Sequence, residues 1–455
     1  MYAKPGTKDR LDVRAFPDGF AWGLSSAAYP IEGAVDQGGR GRSIWDAFSR
    51  RRGAIRGGDT GDVACDHYHR WEADLDLLAS LKVGGYRLSV SWSRLQPDGR
   101  GELNPEAVAF YRKVLAGLRA RGIEPFVTLY HWDLPAALEA GGGWAERETA
   151  RRFAEYARLT VTALGDLATR WITLNEPWSS ALLGYGYGKH APGRTDLTAA
   201  VAAAHHLALA HGLATLAIRE AAPSAEVGIT NTVTHVTAAG DSAADRAAAD
   251  RLDAITNRLF LDPIYRGRHD PLTLDCVDPM GLWAHLRTGD LEIISTPTDF
   301  AGISHGRPVI AGHDPAAPFG VRERPALAPA HLHRVLTRVA SDFTALPLYV
   351  TETGTGHPAG AAPSGQIRDL DRVHHLSGSF TAAARALSDG VDLRGYFVWS
   401  FMDNFEWAEG YSKRLGVVHV DHRTQQRIPR LSAHWYRDLI VAHGGVQDLD
   451  AVPAA

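Results

Sequence analysis

Eight short apolar runs, each followed by a stretch of helical period, recur from one end of this sequence to the other. They are Phe20–Ser26, Tyr86–Trp92, Glu124–Tyr130, Arg170–Glu176, Glu226–Val233, Asp299–His305, Leu348–Thr353 and Gly395–Ser400. Most are nearly continuous in β-branched and aromatic residues, the pattern of parallel strands buried on both faces. Between them, Tyr68–Leu81 sets Trp71, Leu75, Leu78 and Leu81 on one face at spacings of three and four. Pro105–Ala120, Arg147–Leu164, Leu197–Ala221, Asp241–Leu259, Ala328–Phe343, Asp371–Leu387 and Ser432–Val441 read the same way. Eight strand–helix units without a linker predict an α/β fold, a single (β/α)8 TIM barrel with extended βα loops over residues 1–455, its core from about 16 to 445. The Gly- and Pro-rich stretches Asp98–Asn104, Gly306–Pro325 and Gly354–Gly365 read as loops of that barrel. Val452–Ala455 reads as a short tail.

Charge and cysteine content remove several classes of function. Forty-eight basic against 52 acidic residues leave a net charge of −4, without the basic excess that a nucleic-acid or anionic-membrane partner calls for. No run approaches the ~20 apolar residues of a membrane span, and no apolar stretch follows the charged N-terminus as in a secretory signal. The expectation is a soluble cytoplasmic protein. Abundant alanine, and arginine well in excess of lysine, point to a GC-rich bacterial genome. Cys65 and Cys276 are far apart and read as buried free thiols, which supports neither a disulfide framework nor a thiolate metal site. His205-His206 and His374-His375 are adjacent pairs whose side chains diverge on a helix, so shared metal binding is not expected. No metal or cofactor is expected, and no residue pattern sets an oligomeric state.

In a barrel of this kind, chemistry sits where the strands end. Those ends carry Arg87, His131-Trp132, Asn175-Glu176, Glu352 and Trp399. Two carboxylates can supply the acid and the nucleophile of glycosidic cleavage, and flat indoles stack on sugar faces. Glu176, in Thr-Leu-Asn-Glu-Pro, and Glu352, in Leu-Tyr-Val-Thr-Glu-Thr-Gly, each end a β-branched run and should project into one mouth.

The chain resembles glycoside hydrolase family 1, the β-glucosidase and β-glycosidase family, from about Phe16 to Tyr436. The resemblance rests on an ordered series of motifs: Phe20-Ala21-Trp22-Gly23, Ile31-Glu32-Gly33, Ser43-Ile44-Trp45-Asp46 and Asp62 through Tyr68. It continues in Tyr86-Arg87-Leu88-Ser89, Tyr130-His131-Trp132-Asp133-Leu134-Pro135, Gly184-Tyr185-Gly186, Trp399 through Trp407 and Glu409-Gly410-Tyr411. It implies a retaining double displacement, with Glu176 as general acid/base and Glu352 as nucleophile, their carboxyls about 5–5.5 Å apart. By the same resemblance Arg87 keeps the nucleophile ionised, and Asn175, with His131 and Trp132 at the neighbouring strand end, meets the sugar. Trp399 is implied as the stacking platform, with Glu406 and Trp407 reading hydroxyls further round the ring. Asp66 and His67 read as packing residues.

Three departures from that family fall in the pocket. Pro30 stands where a sugar-binding glutamine is usual and offers neither a side-chain partner nor an N–H. Ser304-His305-Gly306 replaces Asn-Tyr-Tyr, removing a tyrosine that bonds the nucleophile and leaving a phenol-sized volume. Thr353 replaces an asparagine after the nucleophile. Together they predict altered glycone specificity toward a small-molecule glycoside or glycosylated natural product. Three other functions stay open on the residues alone. They are glycosyl transfer or rearrangement on a repurposed barrel, an ordinary β-glucosidase with tolerated drift, and an inactive sugar-binding protein.

Overall fold

A computed structural model describes residues 11–325, 331–356 and 367–445. Eight parallel strands close into a barrel in chain order. They are β1 (Ala21–Ser25), β2 (Gly85–Ser89), β3 (Glu124–Tyr130), β4 (Arg170–Asn175), β5 (Glu226–Val233), β6 (Phe300–His305), β7 (Leu348–Glu352) and β8 (Leu393–Trp399). Each matches one of the eight expected runs, with no end displaced by more than three residues. β8 pairs back on β1 from Ala21↔Gly395 to Ser25↔Trp399, so the sheet has no free edge.

The barrel floor is filled by Phe126, Ile172, Phe300, Tyr349 and Phe397. Rings this large fit only because neighbouring strands carry glycine beside them. A Cβ on Gly23 would lie 2.3 Å from the Phe397 ring, and one on Gly228 2.4 Å from Phe300. This aromatic plug leaves the strands' C-terminal mouth as the place for a pocket.

Pro105–Ala120, Arg147–Leu164 and Leu197–Ala221 are helices with the expected bounds. The last corrects the reading of membrane-like segments, because by length and composition it is apolar enough to cross a bilayer. Its apolar window is 83% buried inside the protein, under the helix Arg147–Leu164, so that composition serves packing. Gly306–Pro325 also departs from expectation. It holds two antiparallel strands, Val309–His313 and Val321–Pro325, which join Val236–Ala238 in a small sheet under the helix Ala243–Asp253. Residues 326–330 and 357–366, which include parts of an expected helix and an expected loop, lie outside the described residues, as does the tail from 446.

Candidate active site

β7 delivers Glu352 as its last residue, 9% exposed, and β4 delivers Asn175, with Glu176 one position beyond. Arg87 on β2 is fully buried and ties the two strand ends together. Its Nη1 donates to Glu352 Oε1, and its Nη2 donates to Asn175 Oδ1 at 2.7 Å. The Asn175 oxygen is thereby the acceptor, so its amide donates to His131 Nε2 at 2.9 Å. Burial first, and Arg87 second, hold His131 far below the usual imidazole range, so it is neutral at pH 7. That orders four residues from four strands into one chain, Glu352–Arg87–Asn175–His131.

Glu176 has φ +45°, Trp132 +78° and Trp407 +51°. Left-handed backbone at a non-glycine residue costs on the order of 1–3 kcal/mol and persists where surrounding contacts impose it. Here the contacts are visible. Glu176 N donates to Thr230 O at 2.9 Å on β5, and Trp132 Nε1 donates to Asn175 O at 3.0 Å. The Glu176 carboxyl accepts from Ser304 Oγ at 2.5 Å and from Ser179 Oγ at 2.7 Å. Sequence reasoning missed Ser179. The only signal was its place one helical turn beyond Glu176.

Aromatic rings form one wall. His131 stacks on Trp399 at 5.5 Å and on Trp407 at 5.5 Å, and Trp407 also packs on Trp132 at 4.6 Å and Trp45 at 4.7 Å. Glu406 Oε2 accepts from Trp399 Nε1 at 3.3 Å. Burial pushes the Glu406 carboxyl up to about 7, opposed by that indole bond and supported by the negative charges of Glu352 and Glu176. Asp403 anchors the segment from below, accepting from Arg430 at 2.5 Å and from Gly416 N at 3.1 Å, with His419 at 3.1 Å.

Burial pushes Glu352 itself up to about 7, against the pull of Arg87 and with the push of Glu176. That last influence puts the two catalytic candidates within electrostatic reach of one another.

The altered positions divide. Pro30 is buried in the short helix Ala28–Ile31, and its carbonyl accepts from Phe405 N at 3.1 Å, next to Glu406. Thr353 O accepts from Trp399 N at 2.9 Å, joining β7 to the platform strand. His305 makes no hydrogen bond to Glu352 among the described residues. Burial pushes it down to about 4, with His375, His331 and His235 adding to the effect, so it is neutral. Gly306 corrects an expectation. A Cβ there would lie 2.4 Å from Thr234 Oγ1 and 3.2 Å from Thr232 Cγ2, so threonines already occupy its side-chain direction. A phenol-sized space does not open from that Cα.

Residues expected to be structural have structural partners. His67 pairs with Asp74 at 2.9 Å, while Asp66 binds His69 and Arg70. His205 binds Asp290 at 2.8 Å, and His206 binds Trp144 O at 3.0 Å. Cys65 is buried as expected, whereas Cys276 is only half-buried.

Comparison with known proteins agrees with this geometry. A sequence model of Glycosyl hydrolase family 1 matches residues 13–324 and 320–445. The chain is 40% identical to β-glucosidase A of Thermotoga maritima over 449 residues, covering 96% of this chain and all of that one. It is 41% identical to a bifunctional β-D-glucosidase/β-D-fucosidase of Bifidobacterium breve, over 94% of this chain and 98% of that one. Among solved structures, the psychrophilic β-glucosidase of Micrococcus antarcticus superposes with a TM-score of 0.91 at 42% identity, over 95% and 99% of the two chains. The Thermotoga maritima enzyme in complex with deoxynojirimycin gives 0.91 at 39% identity, over 94% and 99%. With its closed barrel, its paired carboxylates at β4 and β7 and these matches along nearly its whole length, the chain belongs to glycosyl hydrolase family 1.

Proposed function

We propose that the chain hydrolyses small β-glycosides by double displacement, with Glu352 as nucleophile and Glu176 as general acid/base. The observation that carries this assignment is the asymmetry of the two carboxyls. Glu352 is locked against a buried guanidinium, whereas the Glu176 carboxyl, among the described residues, is held by neutral hydroxyls. A fixed cation favours an anionic nucleophile, and a carboxyl without one is free to carry and release a proton. Glu352 attacks the anomeric carbon as the bond to the leaving oxygen breaks and Glu176 protonates that oxygen. Water then attacks the glycosyl ester, gives its proton to Glu176 and releases Glu352, so configuration is retained. Arg87 and Asn175 hold the nucleophile side, while His131, Trp132, Trp399, Glu406 and Trp407 line the sugar side.

The glycone preference departs from glucose at the outer hydroxyls. Pro30 presents no side-chain partner beside Glu406, so a hydroxyl missing or inverted there leaves no buried amide unpaired. The Bifidobacterium breve relative acts on both a glucoside and a fucoside by its name, and D-fucose differs from D-glucose at these outer positions.

Replacing Glu352 by Gly tests the assignment. Hydrolysis should fall by several orders of magnitude, and azide or formate should restore turnover of an activated aryl glycoside with inverted product. A folded Glu352→Gly protein that no anion rescues would remove Glu352 from the nucleophile's place.

A further inference from the structure

Both oxygens of the Glu176 carboxyl accept a serine hydroxyl, and the two serines reach it from different elements. Ser179 lies one turn along the same chain, 4% exposed, with its N–H on Glu176 O at 2.9 Å. Ser304 comes from β6, 128 residues away, and is 5% exposed. Its Cα is the register partner of Glu352. Ser304 is thus a backbone neighbour of one acid and a hydrogen-bond donor to the other.

We propose that Ser304, together with Ser179, is a positioning residue that fixes the plane of the Glu176 carboxyl and so aims it at the leaving oxygen. The proposal rests on the assignment of Glu176 as acid/base. Hydroxyl donors on both sides give each oxygen of a carboxylate a partner. A protonated carboxyl must instead turn one oxygen into a donor, and the serine there must rotate its own hydrogen away. With its plane fixed, the Glu176 carboxyl presents its proton to the leaving oxygen as the glycosidic bond breaks. The carboxylate left behind is already aimed to take the proton of the incoming water. Neither serine forms or breaks a covalent bond, and each keeps its own hydrogen.

A role exercised through Glu176 differs from a packing or sugar-binding role in one measurable way. It matters in proportion to how much protonation the leaving group needs. Ser304→Ala should lower kcat/KM about tenfold for an alkyl glycoside and less than about twofold for the dinitrophenyl glycoside of the same sugar. Ser304→Thr, which keeps the hydroxyl, should restore most of that loss. Equal losses on the two substrates would overturn the proposal. Glu176→Ala, measured alongside, separates the two assignments. A leaving-group-dependent loss there but not in Ser304→Ala removes only the serine's role. A uniform loss in Glu176→Ala removes Glu176 itself from the acid/base position.

Discussion

Glu352 is caught between opposing influences: burial and Glu176 favour its neutral form, and Arg87 favours the anion. With its carboxyl pushed up to about 7, the ionised form is complete above that pH and is lost as pH falls through it. As the proposed nucleophile, Glu352 attacks only as the anion, so the low-pH limb of kcat/KM should have its midpoint near pH 7. Arg87→Gln removes the one opposing charge and should move that limb upward. A wild-type profile that stays flat down to pH 5 would contradict this account of the nucleophile. The placing of Glu176, Glu352, Arg87, Asn175 and His131 at one mouth was legible because each sits in a short local motif. The bond from Ser304 to Glu176 was not, since a contact spanning 128 residues exists only once β4 and β6 share a mouth. Gly306 misled for a related reason. A sequence gives the side chain that is missing, but not the threonines toward which its Cα points.

Elements were readable where burial set their composition. β3 and β5 have the expected bounds because nearly every position in them is buried. Val309–His313 and Val321–Pro325 were missed because the second, Val-Arg-Glu-Arg-Pro, is mostly exposed and held by ladder bonds, not by an apolar pattern. The barrel floor shows the opposite regime, in which strand glycines exist for the ring beside them. Gly228→Ala places a Cβ against Phe300, and overpacking of this kind costs about 1–3 kcal/mol. In a chain of 455 residues the melting temperature should fall by about 1–3 °C. Gly228→Ala with Phe300→Leu should recover part of that loss, because the smaller side chain gives way. An unchanged melting temperature for the single variant would show that the floor has slack.

At the scale of the whole molecule, the barrel divides its duties. The wall of Arg87, Asn175 and Glu352 is cross-linked by hydrogen bonds, and the wall of His131, Trp399 and Trp407 by stacked rings. Pro30 lies where the segment carrying Glu406 and Trp407 meets the first βα loop, and it adds only a carbonyl to Phe405. The residues proposed for bond cleavage stand together at the mouth, while beside Pro30 the described side chains are one carboxyl, Glu406, and the indole of Trp407. Contacts to remote hydroxyls act mainly in the transition state, so a missing one lowers kcat/KM more than ground-state binding. The aryl β-fucoside should therefore be hydrolysed at least as efficiently as the aryl β-glucoside. Pro30→Gln, which returns an amide beside Glu406, should raise kcat/KM for the glucoside about tenfold over that for the fucoside. Gly306→Tyr should add nothing unless Thr234 is also reduced to alanine, because its Cβ meets that threonine first. The altered preference would be refuted by wild-type protein that hydrolyses the aryl β-glucoside at about 10⁵ M⁻¹s⁻¹ or faster and the fucoside far more slowly. Aromatic stacking and Glu406 would then suffice to hold glucose without the amide.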